Sequence, residues 1–407
     1  MRIRAERLLK YTRKKVETVQ SKEKYRTAPE HFTRKSKMNF KNTTLIVLNM
    51  VKKSIKVELM DYFEKVEENT KTPSRNAFTL AREKISYRLF KDLFDKSCEL
   101  AAEEEGSKQY KGYRIFAIDG TSFMVGKLSE LSEYFGNSTT VAGKAMCRIN
   151  SVVDVINNCI VNSAVSPFSV GERSLAINQV NELVSIHKAL YLFDRGYWSP
   201  ELTACIIKNG QKFVMRLASY IKNAVAKDDD GIPYDLRRYS FVLSNGETQT
   251  LITNLTEEEM SDDELAALYT KRWGIETKYL ELKDRLQLDK FSGSTANIVL
   301  QDIFSTMYIS NLAAFICGGA DDLIADKTDG KDYKHPQKAN RTICIAALRR
   351  RFIKLCLIDD PLEQSDRLQF LVDEISKCVT YTRKSKPKPR DKKKLDNSRH
   401  SCVKTLL

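Results

Sequence analysis

The chain has 407 residues, 42% of them hydrophobic, and a formal net charge of +15. That length suits two or three domains with a real core, and the charge favours a polyanionic partner through phosphate neutralisation. The nine cysteines, at 98, 147, 159, 205, 317, 344, 356, 378 and 402, form no C-x-x-C pair, and there are only four histidines, which argues against a zinc ribbon or finger and suits the reduced thiols of a cytoplasm. No uninterrupted apolar run approaches the roughly 18 residues of a membrane span, and the charged N-terminus lacks the apolar centre of a signal peptide.

Residues 1–105 read as helical. Leu45, Ile46, Leu48, Val51, Ile55, Leu59 and Phe63 recur at helical spacing between Thr43 and Lys65. Thr72-Pro73 reads as an N-cap with proline at the first helical position. The helix after it is basic and contains Arg75 and Arg82. Two helices joined by a short polar link, the second one basic, suggest a helix-turn-helix-type DNA reader, with Arg75 and Arg82 as candidate DNA contacts. The plain alternative is a helical hairpin with solvated cations.

From 110 onward the pattern turns to mixed α/β. Tyr113 to Ile118 reads as a strand that runs into Asp119-Gly120-Thr121. Lys144 to Asp154 and Cys159 to Ser166 follow as strands around an Asn157-Asn158 turn, then a helix over Arg173 to Lys188. Leu190 to Phe193 is a short apolar strand that leads into Asp194-Arg195-Gly196-Tyr197. Each aspartate is thus expected at or near a strand end, where α/β sheets often bind ligands. Asp154 and Glu172 read as supporting or structural acids.

Between about 211 and 258, Lys212 to Leu217, Tyr239 to Leu243 and Thr248 to Asn254 read as strands of a β-rich insertion, with a turn at Ser244-Asn245-Gly246. Thr256 to Asp262 offers caps for the next helix. Ile298 to Ile316 and Arg341 to Leu357 read as amphipathic helices, and the basic stretch Arg383 to Arg399, with Pro387 and Pro389, reads as a disordered tail. The resulting domain plan is 1–105, 110–295 and 296–407.

The densest chemistry lies at Tyr269, Arg272, Glu276 and Lys283. On an ideal α-helix the last three fall at roughly −60°, −20° and −40° from Tyr269, a narrow polar stripe. Glu276 can hold a metal, and Arg272 and Lys283 can grip phosphate. Trp273 falls beside the stripe and reads as core packing. Asp119, Asp194 and Glu276 together supply three hard oxygen donors, suited to Mg2+ with Mn2+ as a substitute.

These residues resemble the DDE transposases of bacterial insertion sequences, in particular the cut-and-paste group with the Y-R-E-K signature. The matching pieces are I-D-G-T at 118–121, D-R-G-Y at 194–197 and Y-T-K-R-W-G-I-E at 269–276 with Lys283. The resemblance spans about residues 40 to 320. It implies an α/β, ribonuclease H-like mixed sheet, with Asp119, Asp194 and Glu276 as catalytic metal ligands and Tyr269, Arg272 and Lys283 on the phosphates of the transposon end. It also implies cleavage at terminal inverted repeats, strand transfer into target DNA, a homodimer in a synaptic complex, and a cytoplasmic, nucleoid-associated protein with no membrane partner. In some relatives the insertion helps hold a flipped base. Trp198 and Trp273 fall outside the β-rich stretch here, and only Tyr234, Tyr239 and Phe241 lie near. Two alternatives remain: a catalytically inactive, transposase-derived DNA-binding protein, and a general metal-dependent nuclease.

Overall fold

The apolar and alternating runs between 114 and 253 pair into one seven-stranded sheet. Its strands are β1 (Arg114–Gly126), β2 (Ala145–Asp154), β3 (Cys159–Pro167), β4 (Ala189–Phe193), β5 (Lys212–Arg216), β6 (Arg237–Val242) and β7 (Thr248–Thr253), in the order β3-β2-β1-β4-β5-β7-β6. β1, β4 and β5 run parallel, while β2, β3, β7 and β6 join by antiparallel pairing. β4, with parallel neighbours on both sides, is buried throughout. Asn158 turns the β2–β3 hairpin in the left-handed region, at φ 54°. The strands read as an insertion extend the same sheet, because β5 pairs with β4 and β7 with β5.

The computed structural model describes residues 1–66, 71–126, 129–137, 144–243, 246–331 and 333–381. Ser244, Asn245 and the basic stretch from 383 lie outside the described residues. The helices are α1 (Arg2–Glu17), α2 (Val19–Tyr25), α3 (Phe40–Asn49), α4 (Ile55–Val66), α5 (Arg75–Glu83), α6 (Arg88–Ala102), α7 (Ser129–Phe135), α8 (Glu172–Glu182), α9 (Pro200–Lys208), α10 (Asp262–Tyr269), α11 (Trp273–Leu280), α12 (Ala296–Thr328), α13 (Arg341–Leu357) and α14 (Pro361–Ser376).

The chain divides into two compact units, with the boundary inside α6. One contains the sheet and runs from Asp95 to Arg285 with Ser294–Ala296. The other joins Met1–Phe94, Leu286–Gly293 and the described residues from Asn297 onward. The N- and C-terminal helices therefore form one unit, where the sequence suggested separate regions. The reason is α12: its most apolar window is 94% buried, and a helix that apolar must be covered by others. By length and composition α12 could cross a bilayer, which a count of uninterrupted apolar residues does not reveal.

Several boundaries depend on single side chains. The helical pattern over 43–65 breaks into α3 and α4, because the Glu58 carboxylate accepts the Val51 and Lys53 N–H groups at 2.9 Å each and Lys52 is left-handed, φ 63°. Ser74, not Thr72, caps α5 by accepting the Ala77 N–H at 3.1 Å. Ser261 and Glu264 form a reciprocal capping box at the start of α10.

Candidate active site

Asp119 lies within β1, not at a strand end. β1 runs on to Gly126 against β2, with Asp119 opposite Ser151. On its other side, β1 pairs with β4 only as far as Ala117↔Leu192. Two residues further along this parallel register, Asp119 comes beside Asp194, just past the end of β4. The first two carboxylates are thus neighbours across adjacent strands. Side-chain alternation sends Asp119, Thr121 and Phe123 to one face and Gly120 to the other.

The polypeptide from α10 to residue 285 lies over the Asp119 face. It is not one ideal helix. A 3-10 turn (Thr270–Arg272) links α10 to α11, and a π-helical turn (Glu281–Arg285) follows α11. The single α-helical stripe is therefore bent, but its side chains still meet the sheet. Tyr279 anchors α11 by donating to the Asp119 carbonyl at 2.6 Å and the Ile149 carbonyl at 3.3 Å. Gly274 permits the close approach: a Cβ there would lie 2.9 Å from Val155 Cβ. Tyr269 donates to the Phe193 carbonyl at 3.2 Å, next to Asp194. Lys283 donates to Thr121 Oγ1 at 2.7 Å, with its ammonium 4.9 Å from the Phe123 ring centre.

Arg272 is the electrostatic centre. It is buried, donates to Glu276 Oε1 at 2.8 Å and lies 5.0 Å from the Trp273 ring. Burial lowers its pKa, but Tyr269, Glu276 and Asp194 outweigh this, so the net shift is upward. Its Nε is buried with no hydrogen-bond partner. Burial pushes the Asp119 carboxyl up to about 6; the Gly120 N–H and Arg272 oppose the rise, while Glu172 and Glu276 add to it. Burial likewise raises the Tyr269 hydroxyl, with Asp194 adding and Arg272 and Arg216 opposing.

Glu172, at the start of α8, approaches from the opposite face. A Cβ on Gly120 would lie 2.6 Å from its Oε1 and 2.7 Å from its Cδ. Gly120 is therefore a cradle for this carboxylate, not the turn residue that Asp-Gly suggests. Arg148 fixes the approach: it lies 3.5 Å from Glu172 Oε1, donates to the Val170 carbonyl, and stacks 4.7 Å from the Phe168 ring centre. Asn150 ties in both neighbours, donating to Gln179 of α8 at 2.6 Å and accepting from the Tyr197 hydroxyl at 2.9 Å. Asp154 is structural: buried, it accepts from Arg114 at 2.8 and 2.6 Å.

Among the described residues, no three Asp, Glu, His or Cys side chains stand close enough to enclose one ion as they are posed. The donor chemistry fits a divalent cation nonetheless. Glu172 and Glu276 add to the rise at the Asp119 carboxyl, and a hard cation relieves such repulsion.

Two expectations need correction. Trp273 is not core packing but 52% exposed beside Arg272, because the bent helix presents it outward. Arg82 is not at a DNA surface. It is 2% exposed and donates to Gln301 at 2.8 Å and Asp302 at 2.9 Å within its own unit. A buried guanidinium held by a carboxylate is structural there. Arg75 is exposed in the first turn of α5. Sequence reasoning also missed Arg216 at the end of β5, whose only signal is a short apolar strand ending in a charge, as at Asp194.

Comparison with known proteins gives matches over the sheet-containing part of the chain. The family profile described as "Transposase DDE domain" matches residues 110–312. InsZ of Escherichia coli strain K12, named as a transposase, is 24% identical over 146 residues, which is 34% of this chain and 47% of that protein. The transposase-named y4zB of Sinorhizobium fredii strain NBRC 101917 / NGR234 is 26% identical over 220 residues, 47% of this chain and 57% of that protein. The chain thus spans about half the length of these two relatives. A solved piggyBac transposase synaptic complex with hairpin DNA aligns at 10% identity with a TM-score of 0.48, covering 89% of this chain and 84% of that one. Residues 110–312 thus match a transposase DDE domain, and the two relatives, alike over a third to about half of this chain, are both named as transposases.

Proposed function

We propose that the protein is a cut-and-paste transposase of the Y-R-E-K group on a ribonuclease H-like sheet. It cleaves DNA at transposon ends and joins those ends to target DNA. The reading is supported by Arg272, which feels both Asp194 and Glu276 and in turn acts with Glu276 on the Asp119 carboxyl, and by the β1–β4 pairing that ends two residues short of Asp119 and Asp194.

Asp119, Asp194 and Glu276 would hold Mg2+, or Mn2+ in its place. The bound metal would supply charge stabilisation for an in-line phosphoryl displacement and an activated oxygen nucleophile. The chain's own residues do the rest. Arg272 balances the carboxylates through Glu276 and supplies the positive charge that a phosphate oxygen needs. Lys283 and Thr121 form a donor pair two residues from Asp119. Tyr269 holds the α10–α11 junction against the end of β4. Terminal inverted repeats and target duplex are the proposed substrates. A homodimer is the proposed working form, because two ends must be joined in concert.

The test uses a labelled terminal-repeat duplex with Mg2+. The wild-type chain is expected to nick at the repeat end and join it to a second duplex. Asp119→Ala, Asp194→Ala and Glu276→Ala are each expected to bind the duplex without cutting. Mg2+-dependent cleavage that survives in all three variants overturns the assignment. Cutting of arbitrary duplexes with no joining favours a general nuclease instead.

A further inference from the structure

Arg216 is the last residue of β5. Its position follows from register. Phe193 of β4 pairs with Met215, so one step further Arg216 lies beside Asp194. On its other side Arg216 pairs with Leu251 of β7, which pairs with Tyr239 of β6. Residues opposite one another across strands share a face. Ser151, Asp119, Asp194, Arg216 and Leu251 therefore fall in one row by register across the sheet. Within this row the two acids are followed directly by a cation.

The other cations at the site each have a hydrogen-bond partner: Arg272 donates to Glu276, and Lys283 to Thr121. Arg216 is half-buried and has no side-chain hydrogen bond or ion pair with any described residue, yet its charge is felt at the Tyr269 hydroxyl. A guanidinium serving only to balance Asp194 would close an ion pair with it, and none forms within 4 Å. An arginine on a rigid strand, partly desolvated and with its donors unused, is organised for an oxyanion from outside.

We propose that Arg216 grips a backbone phosphate of the DNA strand held in this site, a phosphodiester neighbouring the one that is cut. The proposal rests on the reading of the site as a phosphoryl-transfer centre. It assigns Arg216 the recognition of a planar oxyanion by a two-pronged donor, which lysine reproduces in charge but not in geometry.

The experiment measures binding of a fluorescein-labelled terminal-repeat duplex to the full chain by anisotropy across a salt series, for wild type, Arg216→Ala and Arg216→Lys. Arg216→Ala is expected to weaken binding by about tenfold or more and to reduce the salt slope by about 0.9, the loss of one phosphate contact. Arg216→Lys is expected to restore the slope but only part of the affinity. A second arm replaces single phosphates near the cleavage position by neutral methylphosphonates. One position should weaken wild-type binding and have no effect on Arg216→Ala. Unchanged affinity and slope in Arg216→Ala, or methylphosphonate sensitivity identical to wild type, overturns the proposal. Cleavage by the three carboxylate variants distinguishes the failures: if Asp119→Ala, Asp194→Ala and Glu276→Ala all still cut, the catalytic reading falls. If they are inactive while Arg216→Ala binds normally, only the Arg216 assignment falls.

Discussion

Replacing Gly120 with alanine tests whether its missing side chain makes room for Glu172. The added Cβ would lie 2.6, 2.7 and 2.9 Å from Glu172 Oε1, Cδ and Cγ, all well inside contact distance. Two responses compete. If Glu172 were locked, β1 would have to shift, and overpacking of that kind costs roughly 1–3 kcal/mol. But the obstructing atoms are the outer end of a side chain that is 38% exposed. Arg148 holds that end by only a 3.5 Å contact, so the carboxylate can swing outward. Gly120 has no positive φ, so alanine adds no backbone strain there. The expected loss is therefore at the low end, about 1 kcal/mol, or roughly 2–4 °C in the melting of a unit this size. The assay is chemical denaturation of the full chain in a double-mutant cycle with Glu172→Ala. Gly120→Ala should cost about 1 kcal/mol in wild type and close to nothing once Glu172 is truncated. Equal cost in both backgrounds would refute the idea that Glu172 is what requires glycine at 120.

Three further outcomes follow from the same contacts. Tyr279→Phe removes the donor to the Asp119 and Ile149 carbonyls and should cost about 1–2 kcal/mol by denaturation, with a fall in cleavage rate as α11 loosens. Burial alone would raise the Asp302 carboxyl, but Arg82 and then Lys52 outweigh it and hold it below the usual carboxylate range. Its stabilisation is therefore complete above the unfolded carboxyl pKa and is lost as pH falls toward the folded one. Asp302→Asn should flatten this acid limb in a pH-melting series and cost about 3–5 kcal/mol at neutral pH, because Lys52 and Arg82 lose their counter-charge. Arg82→Ala should lower thermal stability by several degrees, whereas exposed Arg75→Ala should leave melting unchanged and, if it contacts DNA, reduce only the salt slope of binding.

Local pattern made much of the fold legible. The alternation of β2, the apolar run of β4 and the helical period of α13 depend on neighbours in sequence, and the structure has them within a residue or so of the expected bounds. The pairing of Asp119 with Asp194 could be anticipated only through the resemblance, since two Asp-containing turns carry no sign of adjacency. Where local reasoning failed, a distant residue was responsible. Arg82 sits in a basic helix, but Asp302, 220 residues away, draws it inside. Trp273 looks like core by composition, but the 3-10 turn before it rotates it outward. Gly120 looks like a turn residue, but Glu172 determines its role.

From its own order of residues, then, the chain determined most of its secondary structure, its excess of positive charge and the set of acids and cations available to a site, because periodicity and composition are local properties. Which of those charges meet was decided only by tertiary structure. Strand register sets Asp119, Asp194 and Arg216 in one row, and burial removes Arg82 from any surface, because both arise from contacts between segments that are remote along the chain.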